Sequence, residues 1–129
     1  MCSSDLFKAA EQGESDAQVN LGLMYKLGKG MMQDDVEAEK WYRKAAEQGS
    51  AFAQFKLGML YQEGEGVPQD YVLAHLWFNL AASRAAPENK KVLTDSRDRI
   101  ASRMSSAQLA EAQRLAREWK PKVISAIPR

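Results

Sequence analysis

The chain has 129 residues, of which 45% are hydrophobic and 27% are charged, and this size and composition suit one globular unit with a single continuous core. Its 18 lysines and arginines nearly balance 17 aspartates and glutamates, which argues against a nucleic-acid binder, since such proteins carry a marked excess of positive charge. No apolar run approaches the roughly 20 residues that a membrane-spanning helix needs, and the single cysteine excludes an internal disulfide bond.

The first recognisable element is the segment Ala-Ala-Glu-Gln-Gly at residues 9–13, which recurs 36 residues later at residues 45–49. Shifting the chain by that interval makes about half of the aligned positions identical, and such a period indicates stacked helical repeat units. The matched residues include Ala17 and Ala53, Leu21 and Leu57, Gly22 and Gly58, Tyr25 and Tyr61, Asp34 and Asp70, and Trp41 and Trp77. We therefore predict two complete units, residues 15–50 and 51–86, preceded by the end of a partial unit at residues 9–14.

Each unit is predicted to begin with a helix, over residues 15–27 and 51–63, because small or apolar residues recur there at helical spacing. In the first unit this stripe consists of Ala17, Leu21, Met24 and Tyr25. Gly22 and Gly58 interrupt the pattern at the same place, although a glycine inside a helix costs about 1 kcal/mol relative to alanine. We therefore expect a second helix to cross there so closely that no Cβ atom fits.

That second helix is predicted over residues 35–47 and 71–84, and in each unit it follows a Gly-x-Gly connection. Asp34 and Asp70 stand where the N-cap of this helix is expected. The predicted buried stripe in the first unit comprises Val36, Ala38, Trp41, Tyr42 and Ala45. The residues expected in solvent are Lys40, Arg43 and Lys44.

After Ala82 the repeat pattern gives way to two further predicted helices, over residues 88–103 and 107–119. Their apolar stripes consist of Val92, Leu93, Ile100 and Met104 in the first, and of Leu109, Ala112, Leu115, Ala116 and Trp119 in the second. Because these helices lack the glycines of the repeats, we expect residues 87–120 to form a capping helix pair, followed by a tail at residues 121–129.

The recurring pattern is Ala-x-Ala-Gln-x-x-Leu-Gly-x-x-Tyr-x-x-Gly-x-Gly-Val, then an aspartate, then Ala-x-x-Trp-Tyr/Phe-x-x-Ala-Ala, and it resembles that of the Sel-1-like repeat family. It runs through residues 51–82 and, with Ser15 replacing the first alanine and Met31 replacing the valine, through residues 15–46. The resemblance implies an all-α, right-handed α-solenoid of antiparallel helix pairs, related to tetratricopeptide repeats. It also implies an adaptor or scaffold whose partner is a protein or peptide.

The start of the chain departs from the family pattern, because Asp5 stands where the repeats carry Trp41 and Trp77. We expect an N-terminally truncated bacterial member, in which residues 1–6 are foreign to the original gene. Residues 1–8 lack the basic start and apolar stretch of a signal peptide, but the expected truncation leaves both the bacterial cytoplasm and the periplasm open. The unfinished first unit would also offer a face for self-association.

In solenoids of this family the first helix of each pair lines the concave face, so the resemblance implies a binding surface there. The residues on these helices that the repeat core does not need are Val19, Asn20, Leu23, Phe52, Phe55, Lys56, Met59 and Glu63. Phe52, Phe55 and Met59 form an apolar stripe of the kind that anchors a partner peptide or helix. The alternative is that these side chains pack against the neighbouring first helix or the capping helices.

The sequence offers no recognised catalytic or metal-binding pattern, neither His-Glu-x-x-His nor a Ser-His-Asp grouping, and we expect no cofactor. His75, the sole histidine, is predicted to face solvent rather than to act as a catalytic base. Trp41 and Trp77 repeat at one period, which favours a place in the core over an aromatic binding cage. A hydrolase of the β-lactamase-like kind, once credited to some relatives, is the alternative function, although no nucleophile motif here supports it.

Overall fold

The structure is a computed structural model that describes residues 3–121, and within that range every regular element is an α-helix. The helices are α1 (Ser3–Glu11), α2 (Ser15–Leu27), α3 (Asp35–Glu47), α4 (Ala51–Glu63), α5 (Tyr71–Arg84), α6 (Pro87–Ala101) and α7 (Ser106–Glu118). Helices α2 to α5 coincide with the four predicted repeat helices, and the all-α prediction is confirmed. The predicted tail, apart from Pro121, and the first two residues of the segment predicted to be foreign lie outside the described residues.

Each repeat is a helical hairpin, α2 packed against α3 and α4 packed against α5, and the hairpins join where α3 packs against α4. Helix α1 packs against α2, and its Leu6 and Ala10 are buried in one cluster with Leu21 and Trp41. This succession of stacked hairpins is the solenoid that the 36-residue period predicted, while its right-handed twist stays a prediction.

In addition to the packing of α3 against α4, a main-chain contact and one lysine join the two repeats. The backbone of Gly66, in the loop before α5, lies directly against the backbone of Asp35, the first residue of α3. Beside this contact, Lys26 Nζ lies 3.3 Å from a carboxylate oxygen of Asp35 and 2.8 Å from one of Glu65. Lys26 therefore ties the first helix of one repeat to its own second helix and to the loop of the next repeat.

The two units share the residues at which their second helices begin and their first helices end. Asp34 Oδ1 accepts hydrogen bonds from the backbone N–H groups of Val36 and Glu37, each at 3.1 Å. Asp70 Oδ1 caps α5 by accepting one such bond, from the N–H group of Leu73 at 3.1 Å. These bonds satisfy N–H groups that the first helical turn leaves without a carbonyl partner. The first helix of the second repeat, α4, ends at Gly64. The φ of Gly64 is 70°, a left-handed conformation that favours glycine.

Close helix crossing explains the glycine inside each first helix. A Cβ atom on Gly22 would lie 2.7 Å from the ring of Tyr42, and one on Gly58 would lie 2.8 Å from the ring of Phe78. Both distances are shorter than carbon atoms tolerate, so the aromatic ring of the second helix occupies the space that a side chain would need. The packing reason inferred from the sequence is confirmed.

The predicted buried stripe of α3 is confirmed except for Val36. Trp41 is buried, as is its equivalent Trp77 in α5, so the prediction that these rings belong to the core holds. Val36, by contrast, is 61% exposed. At 3.6 residues per turn it lies about 160° around the helix from Ala38, on the side opposite the buried residues. The residues of α3 predicted to face solvent, Lys40, Arg43 and Lys44, are exposed.

Helices α6 and α7 both pack against α5 and make little contact with each other, while their role as a cap of the solenoid stays a prediction. Ile100 of α6 is buried with Ala74 and Phe78 of α5. Just beyond α7, the ring of Trp119 stands edge-on to Trp77, with 6.3 Å between centroids. Each of the two helices has one apolar stripe, and α5 takes up both, so neither keeps an apolar face for the other.

Candidate functional site

The residues predicted to bind a partner lie on α2 and α4, and half of them are well exposed. The exposed ones are Asn20, Phe52, Met59 and Glu63, and the half-buried ones are Val19, Leu23, Phe55 and Lys56. Phe52 and Met59 are large apolar side chains that are 47% and 38% exposed. They stand seven residues apart and therefore share one face of α4, where both remain open to solvent.

The half-buried apolar members pack within the protein. Val19 and Leu23 pack against the main core cluster. The ring of Phe55 lies 5.9 Å from that of Phe78, centroid to centroid, and Phe55 also packs against the cluster that contains Leu93. Phe55 therefore supports the attachment of α5 and α6, so that its removal would disturb the fold as well as any binding.

A groove runs beside the start of α4, between that helix and the first half of α6, and encloses about 510 Å³. We call it the α4–α6 groove. Its lining residues are Ala51, Phe52, Phe55, Arg84, Ala85, Ala86, Asn89, Val92 and Leu93. The groove thus joins two residues predicted to bind a partner to a set that the sequence did not associate with them.

The contribution of α6 to the groove was missed because it depends on where α6 packs. Val92 was assigned to the same apolar stripe as Leu93, but Leu93 is buried whereas Val92 is 59% exposed. Successive residues of a helix lie about 100° apart, so the face that packs on α5 takes Leu93 and leaves Val92 in the groove wall. The one signal in the sequence was that two large apolar residues, Val92 and Leu93, are adjacent, so that one helix face cannot bury both.

Two cations flank the apolar walls of the groove. The guanidinium of Arg84 lies 5.2 Å from the centre of the Trp119 ring, and Lys56 Nζ lies 5.3 Å from the centre of the Phe52 ring. No aspartate or glutamate is among the lining residues. In the part of the chain that the structure describes, the ion pairs include neither Arg84 nor Lys56. The groove therefore combines apolar walls with positive charge at its margins.

His75 is buried, with 3% of its surface exposed, so the prediction of an outward-facing, solvated histidine is wrong. Its equivalent in the first repeat, Glu39, is buried too, and accepts a hydrogen bond from the Tyr61 hydroxyl of α4 at 3.4 Å. The cause is that the helix after each hairpin covers a further flank of the second helix, α4 over Glu39 and α6 over His75. Burial, together with the nearby charge of Arg97, lowers the pKa of His75 from its ordinary 6.5.

Acidification is expected to weaken the packing around His75. Because the fold lowers the pKa of His75, the unfolded chain binds more protons than the folded one between the two pKa values. The free energy of unfolding therefore falls as the pH drops below about 6.5, and this group adds no pH dependence above that value. Urea unfolding at about pH 7.5 and 5.5 should show a smaller pH effect in His75→Leu than in the unchanged protein. Equal pH effects in the two proteins would contradict the assignment.

Within residues 3–121, no three histidine, cysteine, aspartate or glutamate side chains come together in a way that could hold a metal ion. No helix in the same range is long and apolar enough to cross a membrane.

Comparison with known proteins matches a family model, described as Sel1 repeat, to residues 15–50 and 51–85. Among solved structures, the c5321 protein of uropathogenic Escherichia coli, a protective antigen displaying an SLR fold, is 35% identical with a TM-score of 0.80. The match covers 96% of this chain but only 29% of that protein. A Sel1 repeat protein from Oxalobacter formigenes is 42% identical with a TM-score of 0.65, over 70% of this chain and 68% of that one. The comparison with curated proteins gave no significant match.

Proposed function

Because the chain belongs to the Sel1 repeat family, we propose that it is a scaffold that holds a segment of a partner protein on the surface of α2 and α4. Proteins with Sel1 repeats and this fold generally act as scaffolds for protein interactions. We call the proposed surface the first-helix face, and it consists of Val19, Asn20, Leu23, Phe52, Phe55, Lys56, Met59 and Glu63. Its position on the concave side of the solenoid is part of the proposal.

The observation that carries the proposal is the exposure of Phe52 and Met59 on one side of α4. Burying apolar surface contributes about 25 cal/mol per Å², so a partner that covers both side chains gains affinity from contacts that the free protein does not make. Large side chains of this kind commonly anchor protein interfaces. The half-buried side chains of Val19, Leu23 and Phe55 would add contacts from positions that packing against the core holds fixed.

The test is capture of a partner by the purified chain, followed by affinity measurements with the purified partner. The double variant Phe52→Ala, Met59→Ala is expected to bind about tenfold more weakly or worse, since it removes both exposed anchors. Phe55 is left in place because it packs against Phe78 and its loss would affect folding. Circular dichroism should show unchanged helicity in the variant.

The matched control is Met32→Ala, Val36→Ala, which removes two exposed apolar side chains outside the first-helix face. This control should bind the partner as the unchanged protein does. If the two double variants bind equally well, the first-helix face is not the site where the partner is held.

A further inference from the structure

We infer that the α4–α6 groove takes a segment of the partner in which apolar side chains stand next to a carboxylate, an inference that rests on the proposed scaffold function. The walls contributed by Phe52, Phe55, Val92 and Leu93 favour apolar side chains. A volume of about 510 Å³ exceeds that of a single side chain. It falls within the range of roughly 300 to 1,000 Å³ that is usual for sites that bind ligands.

Arg84 supplies the preference for a carboxylate. Its guanidinium lies over the Trp119 ring, which limits the positions open to it, and Arg84 is one of the residues that line the groove. Because no acidic side chain lines the groove, a carboxylate that enters would meet this guanidinium without a competing partner there. Arginine and carboxylate form paired, charge-assisted hydrogen bonds, which are stronger than those between neutral groups.

The two requirements are separable, because they belong to different residues at different places in the groove. The apolar walls lie between α4 and α6, whereas Arg84 is the last residue of α5 and stands beside the turn at Gly49. Lys56, beside the Phe52 ring, adds positive charge on the α4 side. A segment with apolar side chains alone would contact the walls of the groove but would leave Arg84 and Lys56 without a carboxylate partner.

The probe is a random peptide library displayed on phage and selected against the full chain. Selected peptides are expected to carry aspartate or glutamate within a few residues of two apolar residues. The same selection against Arg84→Gln should keep the apolar residues and lose the acidic ones. Selected peptides without acidic residues, or no selection at all, would overturn the inference.

The quantitative step compares one selected peptide with a twin in which glutamine or asparagine replaces the acidic residues. Arg84→Gln should weaken binding of the acidic peptide about tenfold and leave binding of the twin unchanged. Arg103→Gln removes the same charge at an exposed position outside the groove, so it should bind both peptides normally. Phe52→Ala should weaken both peptides, because it removes part of an apolar wall.

Equal weakening of both peptides by Arg84→Gln would show that Arg84 supports the fold and does not select a carboxylate. Sedimentation that shows association of the free chain, reversed by the acidic peptide, would identify a second copy as the occupant and also overturn the inference. Partner binding that depends on Phe52 and Met59 but not on Arg84 would leave the scaffold proposal standing and remove this one alone.

Discussion

Replacing Gly66 with alanine is expected to lower the free energy of unfolding by about 3 kcal/mol, since it combines backbone strain with overpacking. A Cβ atom there would lie 2.5 Å from the carbonyl oxygen of Asp35. That oxygen belongs to the main chain of α3 and cannot rotate away as a side chain could. The φ of 76° adds the strain that residues other than glycine pay in the left-handed region. Urea unfolding followed by circular dichroism measures the loss.

Gly30 provides the matched control for this prediction. It occupies the same place in the first repeat with a φ of 73°, but a Cβ atom there would meet only the methyl group of Met24, at 3.8 Å. Gly30→Ala should therefore cost about 1 kcal/mol, the backbone strain alone. If the two variants lose the same stability, the backbone of Asp35 does not lie close enough to Gly66 to exclude a Cβ atom.

Replacing Trp77 with alanine is expected to cost about 3 to 5 kcal/mol, the range for large aromatic side chains removed from a core. The ring is buried in the main core cluster and also stands edge-on to Trp119. Its removal therefore opens a cavity between the α4–α5 hairpin and the C-terminal end of α7. A loss of this size is a large part of the roughly 5 to 15 kcal/mol that stabilises a typical domain.

Trp119→Ala tests the other half of this contact. Trp119 is half-buried, so its removal should cost about 1 to 2 kcal/mol and leave the repeats folded. Hydrogen exchange should then rise in the amides of α7 more than in those of α4. A cost as large as that of Trp77→Ala would mean that α7 is part of the core of the repeats and not a helix attached to α5.

The repeat helices could be predicted because each carries its own boundaries and its own buried stripe. Asp34 and Asp70 start the second helices, and Gly28 and Gly64 end the first ones, through bonds made within a few residues along the chain. Gly22 and Gly58 also predicted a contact between the two helices of each repeat. Glycine is unfavourable inside a helix, so its presence at the same position of both repeats indicated a packing reason. Local bonds and repetition are the features that a sequence displays most directly.

The flanks of the helices could not be predicted, because they depend on which helix comes to lie beside them. His75 was placed in solvent by the periodicity of α5 alone, yet α6 covers it. Val92 and Arg84 lie in the groove for the same reason, since the packing of α6 on α5 sets the distance between α6 and the start of α4. That α6 and α7 both pack against α5 could not be predicted either, because an apolar stripe does not indicate which helix will cover it.

The contact between Gly66 and the backbone of Asp35 involves none of the side chains that are proposed to bind a partner. The hairpins are joined by this main-chain contact, by Lys26 and by the packing of α3 against α4, whereas recognition is proposed for the exposed side chains of Phe52 and Met59. Exchanging Phe52 or Met59 is therefore expected to change what the surface binds without disturbing the residues that join the hairpins.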